Sequence, residues 1–146
     1  YDILPEQDLP DIEAVDLNTL YKSADVISLH IPLNEQTKDI IDRTSIEKMK
    51  TGVMIINTAR GSLIKTTDVL DALKTGKIGY LGLDVYENEH GLFFEDHEAD
   101  QVRDPLLSEL MNMPNVLITP HQAFLTTEAL EEIALETINT LNDWEK

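Results

Sequence analysis

Four short runs of apolar, often β-branched residues punctuate the chain: VISLHI over Val26–Ile31, VMIINT over Val53–Thr58, YLGLDVY over Tyr80–Tyr86 and VLIT over Val116–Thr119. The first two carry apolar residues at neighbouring positions, the pattern of strands buried on both faces. Between the runs the spacing becomes helical. Thr44-Ser45-Ile46-Glu47 has capping-box spacing and predicts a short helix ending at Gly52, and Thr67–Lys74 predicts another that stops near Gly76. PLLSELM over Pro105–Met111 supplies a third. Strands alternating with helices across short polar loops predict βαβ units, hence an α/β fold with a parallel sheet and flanking helices.

From Glu128 to Glu145, Leu130, Ile133, Ala134, Ile138, Leu141 and Trp144 fall on one helical face, while Glu128, Glu131 and Glu132 suit the positive N-terminal end. This helix is expected to cover an apolar surface, either this sheet or a second domain. The one long irregular stretch, Glu87–Asp104, is rich in acids and carries Phe93 and Phe94. Loops of that length are usually functional or mobile.

Charge narrows the classes of partner. The 146 residues include 28 acids against 11 lysines and arginines, a formal net charge of -17 that repels phosphate backbones and anionic membranes alike. Neither nucleic acid nor membrane is an expected partner. With no cysteine there is no disulfide framework, thiolate nucleophile or sulfur-ligated zinc site, which fits a reducing cytoplasm. No apolar stretch approaches the ~20 residues of a membrane-spanning helix. The first residue is Tyr1 rather than Met, so a fragment or processed product is one expectation.

In an open parallel sheet, ligands bind beyond the carboxyl ends of the strands. Past the first run lie Ile31-Pro32-Leu33, and past the second Ala59-Arg60-Gly61. Asp84 sits within the third with Glu87 and Glu89 just beyond, and Pro120-His121-Gln122 follows the fourth. One arginine, several carboxylates and one histidine therefore converge on one edge. Each has a bland reading as well, since an arginine after a strand is often a surface ion pair and a lone histidine a loop or core residue. Against that, Ala59 and Gly61 leave room for a ligand beside Arg60, whose planar fork suits a carboxylate. A carboxylate such as Glu89 near His121 favours the protonated imidazole that donates a proton at neutral pH. Asp84 in an apolar run needs a partner or a ligand, whereas Glu87 reads as a solvated acid. Gly76, Gly79 and Gly82 space as GxxGxxG, which is not the GxGxxG of a phosphate loop. His90 and His97 with Glu95, Asp96 and Glu98 match no usual ligand spacing, so a solvated acidic loop is preferred and no metal site is expected.

Four segments together carry a family likeness: DVISLHIP from Asp25, INTARGSL from Ile56, GLDVYENE from Gly82 and TPHQAF from Thr119. In this order and spacing they resemble the D-isomer-specific 2-hydroxyacid dehydrogenases across the whole chain. DVYENEHGLFFED and HQAFLT are similar to the fermentative D-lactate dehydrogenase branch. The resemblance implies that Arg60 grips the substrate carboxylate, that His121 exchanges the proton with the C2 oxygen, and that Glu89 holds and polarises that imidazole. It further implies that Asp84 contacts the nicotinamide end of the cofactor, with Ile31, Pro32, Thr37, Thr58, Ala59 and Arg60 along its path. Tyr1-Asp2 resembles the end of a nucleotide-binding strand whose carboxylate binds the adenosine ribose, favouring NAD over NADP.

On this resemblance, residues 1–124 are expected to be the C-terminal part of an NAD-binding domain with its catalytic loops. Residues 125–146 would form a helix packing toward a substrate domain. The pyrophosphate loop and most of the substrate domain would precede Tyr1, so the chain by itself is expected not to close an active site. The complete protein is expected to be a homodimer interconverting pyruvate and D-lactate. Another D-2-hydroxyacid substrate is the alternative within the same chemistry, and a non-catalytic NAD-sensing co-repressor is the alternative outside it.

Overall fold

A computed structural model describes residues 1–2, 12–89 and 104–144. Its strands, β1 (Val26–Leu29), β2 (Val53–Asn57), β3 (Ile78–Leu83) and β4 (Val116–Ile118), form one sheet in the order β1-β2-β3-β4. Every neighbouring pair is parallel. Helices α2 (Arg43–Lys48), α3 (Thr66–Lys74) and α4 (Pro105–Met111) make the three crossovers, which is the βαβ arrangement the alternating pattern predicts.

Local chemistry accounts for where these elements begin. The α2 cap is Asp42, not Thr44: its carboxylate accepts from Ser45 N, and Asp42 N donates in return to the Ser45 hydroxyl oxygen. The spacing that suggested Thr44-x-x-Glu47 is present, but the Asp42–Ser45 pair two residues earlier satisfies the helix end. The helix also stops at Lys48, and Gly52, with φ +84°, belongs to the turn entering β2. An additional helix, α1 (Leu17–Ser23), precedes β1 and is not among those the apolar pattern predicts. Its signal is Asp16, which accepts from the Asn18 and Thr19 amides.

The strands are shorter than the apolar runs. β3 starts at Ile78 and ends at Leu83, so Asp84 stands just past the strand rather than within it. The expectation of burial on both faces also needs correction. Ile27, Leu29, Val53, Ile55, Ile78, Leu81 and Leu83 share one core with Ile46, Met49, Val69, Leu70, Leu73 and Leu110 of the crossover helices. On the opposite face Val26, Met54 and Tyr80 lie in register, and Val26 and Tyr80 are more than half exposed. The crossovers pack on one side only, so the outward residues have no described layer over them. Apolar content on both sides of a strand marks two faces that tolerate burial without saying which elements bury them.

The last helix, α5 (Thr127–Trp144), has no buried residue, and Leu130, Ile133, Ile138, Leu141 and Trp144 are all exposed. It therefore does not cap this sheet. No described helix is long and apolar enough to cross a membrane. Phe93, Phe94 and the acidic group of His90, Glu95, Asp96, His97 and Glu98 lie outside the described residues.

Candidate active site

Because all four strands run parallel, the segments that follow them share one edge, and backbone hydrogen bonds stitch these segments together. Asp84 N donates to Asn57 O at 3.0 Å, Thr119 N to Leu83 O at 2.9 Å, and His121 N to Asp84 O at 2.8 Å. The loops after β2, β3 and β4 thus form one connected shelf. His121 sits on it with φ +55°, a left-handed conformation uncommon for a residue with a Cβ. Asp84 supports that turn. Its Oδ1 accepts from the Thr119 hydroxyl and from Gln122 N, and its Oδ2 accepts from Ala123 N at 2.9 Å. Burial alone would raise the Asp84 carboxyl, but these bonds, with the His121 imidazole beside them, outweigh it and hold the group below the usual aspartate range.

The half-buried His121 turns Nδ1 toward Glu89 Oε1 at 3.2 Å, and the other Glu89 oxygen accepts from Tyr86 N at 3.2 Å. Thirty-two residues separate the pair in sequence, and only the β3–β4 pairing brings them into contact. Tyr86 is buried, and its phenol donates to Asp104, the cap of α4. The loop that aims Glu89 is thereby tied to a helix end.

Arg60 is exposed on the neighbouring loop, its Nη1 donating to Ala59 O at 2.6 Å. Ile31, Pro32, Thr58, Ala59 and Arg60 line one open cleft of about 720 Å³ together with His30 and Leu33. An adjoining groove of about 170 Å³ shares His30 and Ile31 and extends to Tyr1 and Asp2. Asp2 lines the groove and Arg60 the cleft, with His30 and Ile31 between them. Thr37 is not part of that lining. It is buried, and its hydroxyl donates to Pro32 O at 2.6 Å and accepts from Asn34 N at 2.9 Å, which fastens the 32–37 loop from beneath.

Two further residues shape the site in ways that apolar periodicity does not show. Asn57, fully buried at the end of β2, donates from Nδ2 to Arg60 O at 2.8 Å and accepts from Ala59 N at 3.1 Å. The sequence signal was a polar side chain closing an apolar run. Gly61, expected to leave room for a ligand beside Arg60, instead packs directly on the Tyr86–Glu87 peptide, so the space its missing side chain leaves is filled by backbone. Among the described residues, no group of three or more histidine and acidic side chains is arranged to hold a metal ion.

Residues 2–123 match the family model for the D-isomer specific 2-hydroxyacid dehydrogenase, NAD binding domain. The chain belongs to that family. Its relatives include the D-lactate dehydrogenase of Escherichia coli strain K12, 50% identical over 92% of this chain and 41% of that protein. A D-2-hydroxyisocaproate dehydrogenase structure superposes with a TM-score of 0.92 at 39% identity, covering 100% of this chain and 44% of the other. The NAD-complexed D-isomer specific 2-hydroxyacid dehydrogenase of Lactobacillus delbrueckii ssp. bulgaricus gives 0.87 at 33% identity, over 98% and 45%. The chain spans between 38% and 44% of the length of the curated relatives it matches. The Rossmann-like α/β class and NAD as the family's cofactor stand on these matches.

Proposed function

We propose that this chain works within a longer polypeptide as the catalytic-loop half of an NAD-binding domain, and that the whole protein reduces a small 2-oxo acid to the D-2-hydroxy acid. Pyruvate and D-lactate are the proposed pair. The observation that carries the reading is the Glu89–His121 contact, set on the same shelf of loops as Arg60.

The division of labour follows from what each side chain can do. Arg60 offers a planar fork that binds a substrate carboxylate through two parallel hydrogen bonds. Glu89, placed at Nδ1, holds the ring, so that Nε2 meets the C2 oxygen and delivers its proton as the carbonyl is reduced. Ile31, Pro32, Thr58 and Ala59 would wall the bound NAD, with Asp2 at its ribose and Asp84 at its nicotinamide end. When bound, the reduced cofactor supplies the hydride that adds to C2. Three of the roughly four acceptor positions of Asp84 are engaged by the His121 turn, so its proposed cofactor contact uses what remains on Oδ2. The unburied apolar face of α5 supports its packing on the substrate domain of the whole protein.

Substrate size is the open choice within this chemistry, and the similarity to a D-2-hydroxyisocaproate dehydrogenase favours a branched-chain 2-oxo acid as the second reading. Steady-state kinetics of the full-length enzyme with NADH and pyruvate, 4-methyl-2-oxopentanoate or phenylpyruvate decide it. The leading reading expects the highest kcat/KM for pyruvate and the D product on chiral analysis. Preference for a larger acid would replace the substrate, and absence of turnover with all three would overturn the proposed activity.

A further inference from the structure

Arg60 is pinned from two sides, and the two contacts serve different ends. On the β2 side, the buried Asn57 amide holds both Ala59 N and Arg60 O. On the β3 side, the residue after Arg60 is a glycine whose missing side chain matters: a Cβ on Gly61 would collide with the carbonyl carbon and oxygen of Tyr86 and with Glu87 N. All three atoms are backbone, so no side-chain rotation relieves the clash. Nor is the wall free to retreat, because Tyr86 is buried and its phenol is bonded to the Asp104 cap of α4.

The peptide that Gly61 touches is also the one that aims Glu89. Tyr86 N donates to Glu89 Oε2, Tyr86 O accepts from Glu89 N at 3.3 Å, and Glu89 Oε1 faces His121 Nδ1. A short covalent and hydrogen-bonded path therefore runs from Arg60 through Gly61 to Tyr86, Glu89 and His121. We propose that Gly61 and Asn57 are positioning residues that set the spacing between the carboxylate-binding arginine and the proton-donating histidine. This rests on the roles assigned above to Arg60 and His121. An alanine at position 61 moves the Arg60 turn away from the 86–87 peptide, and a substrate held by its carboxylate then presents its C2 oxygen out of reach of His121. Reacting groups displaced by about 1 Å commonly lose ~10²-fold in rate.

The test uses the full-length enzyme with pyruvate as probe, and compares Gly61→Ala with Gly79→Ala and Arg60→Ala. Gly79 is the control because a Cβ there would lie 2.6 Å from Gly52 O, a comparable backbone clash at the opposite edge of the sheet. Gly61→Ala is expected to raise KM for pyruvate and lower kcat, for a combined loss of ~10²-fold in kcat/KM, with the NADH dissociation constant within about twofold of wild type. Gly79→Ala is expected to lower Tm and leave both kinetic constants of the folded protein unchanged. If Gly61→Ala does not fold, Asn57→Asp carries the same test, since it keeps the acceptor for Ala59 N and turns an oxygen toward Arg60 O. Wild-type kinetics in the folded variant, or equal losses in NADH and pyruvate affinity, would overturn the positioning role. If Arg60→Ala itself leaves pyruvate kinetics unchanged, the fault lies with the proposed function rather than with this inference.

Discussion

At the carboxyl edge of the sheet Gly61 lies on the Tyr86–Glu87 peptide, and at the amino edge Gly79 lies on the Gly52 carbonyl; in both places a Cβ would strike backbone. The polar side chains around them are used differently. At the amino edge they act as struts: Asn115 Nδ2 donates to Gly79 O at 2.8 Å, the Lys77 ammonium donates to Met49 O, and the Lys50–Asp25 pair lies on the surface. At the carboxyl edge Asn57 and Asp84 are struts of the same kind, while Arg60, Glu89 and His121 remain partly exposed. A site at one edge thus requires two populations of polar residue. The buried ones hold the loops still, and the exposed ones are those proposed to meet the ligand.

Changes at the two edges should therefore separate into losses of rate and losses of stability. The largest effect is expected from His121→Ala in the full-length enzyme, where removing the proton donor lowers kcat/KM for 2-oxo acid reduction by ~10²- to 10⁴-fold while NADH affinity holds. Arg60→Lys keeps the charge but not the fork, and its loss of about 10- to 100-fold should appear mainly in KM for the keto acid, the scale of one charge-assisted hydrogen bond. Retention of wild-type KM would remove Arg60 as the clamp.

Asp84→Asn sits between the two classes. It presents an NH₂ group where the Thr119, Gln122 and Ala123 donors converge, leaving a buried polar group unmatched at a cost of about 1–3 kcal/mol in denaturant unfolding. The sign of its pH dependence follows from the lowered folded-state value of Asp84. The stabilisation is complete above the ordinary aspartate value of ~3.9 and is lost as pH falls through the lower native value, so wild type and variant should converge in acid. A gap that stays constant down to acid unfolding would contradict the clamp. The smallest effect is expected at the amino edge, where Asn115→Ala forfeits one hydrogen bond to Gly79 O for about 1 kcal/mol and leaves kcat/KM unchanged.

What was legible in the sequence divides along physical lines. Apolar runs marked all four strands, because strand cores need several consecutive favourable residues. The turn from each strand into its loop marked Arg60, Asp84, Glu89 and His121. The end of β3 was misjudged at Asp84 because Val85 and Tyr86 are also buried, though they lie beyond the ladder. Thr37 was expected along the cofactor path from the family resemblance, yet its hydroxyl donates to Pro32 O. Asn57 escaped notice, and Gly61 was read as room for a ligand, because their packing arises between neighbouring loops, in contacts that local periodicity does not encode. The exposed outer face of the sheet escaped for a similar reason, since apolar residues such as Met54 and Ile56 record a capacity for burial and not the identity of the covering layer.

The central claim, that Glu89 and His121 act as one proton-donating unit, is tested most directly by a double-mutant cycle on kcat/KM for pyruvate reduction with Glu89→Gln, His121→Gln and both together. The two side chains meet at 3.2 Å, and once the imidazole is gone Glu89 has no ring left to hold. Glu89→Gln is expected to lower kcat/KM when His121 is present and to have little further effect in the His121 variant. Losses that simply add would contradict the unit and leave His121 without Glu89 as its partner.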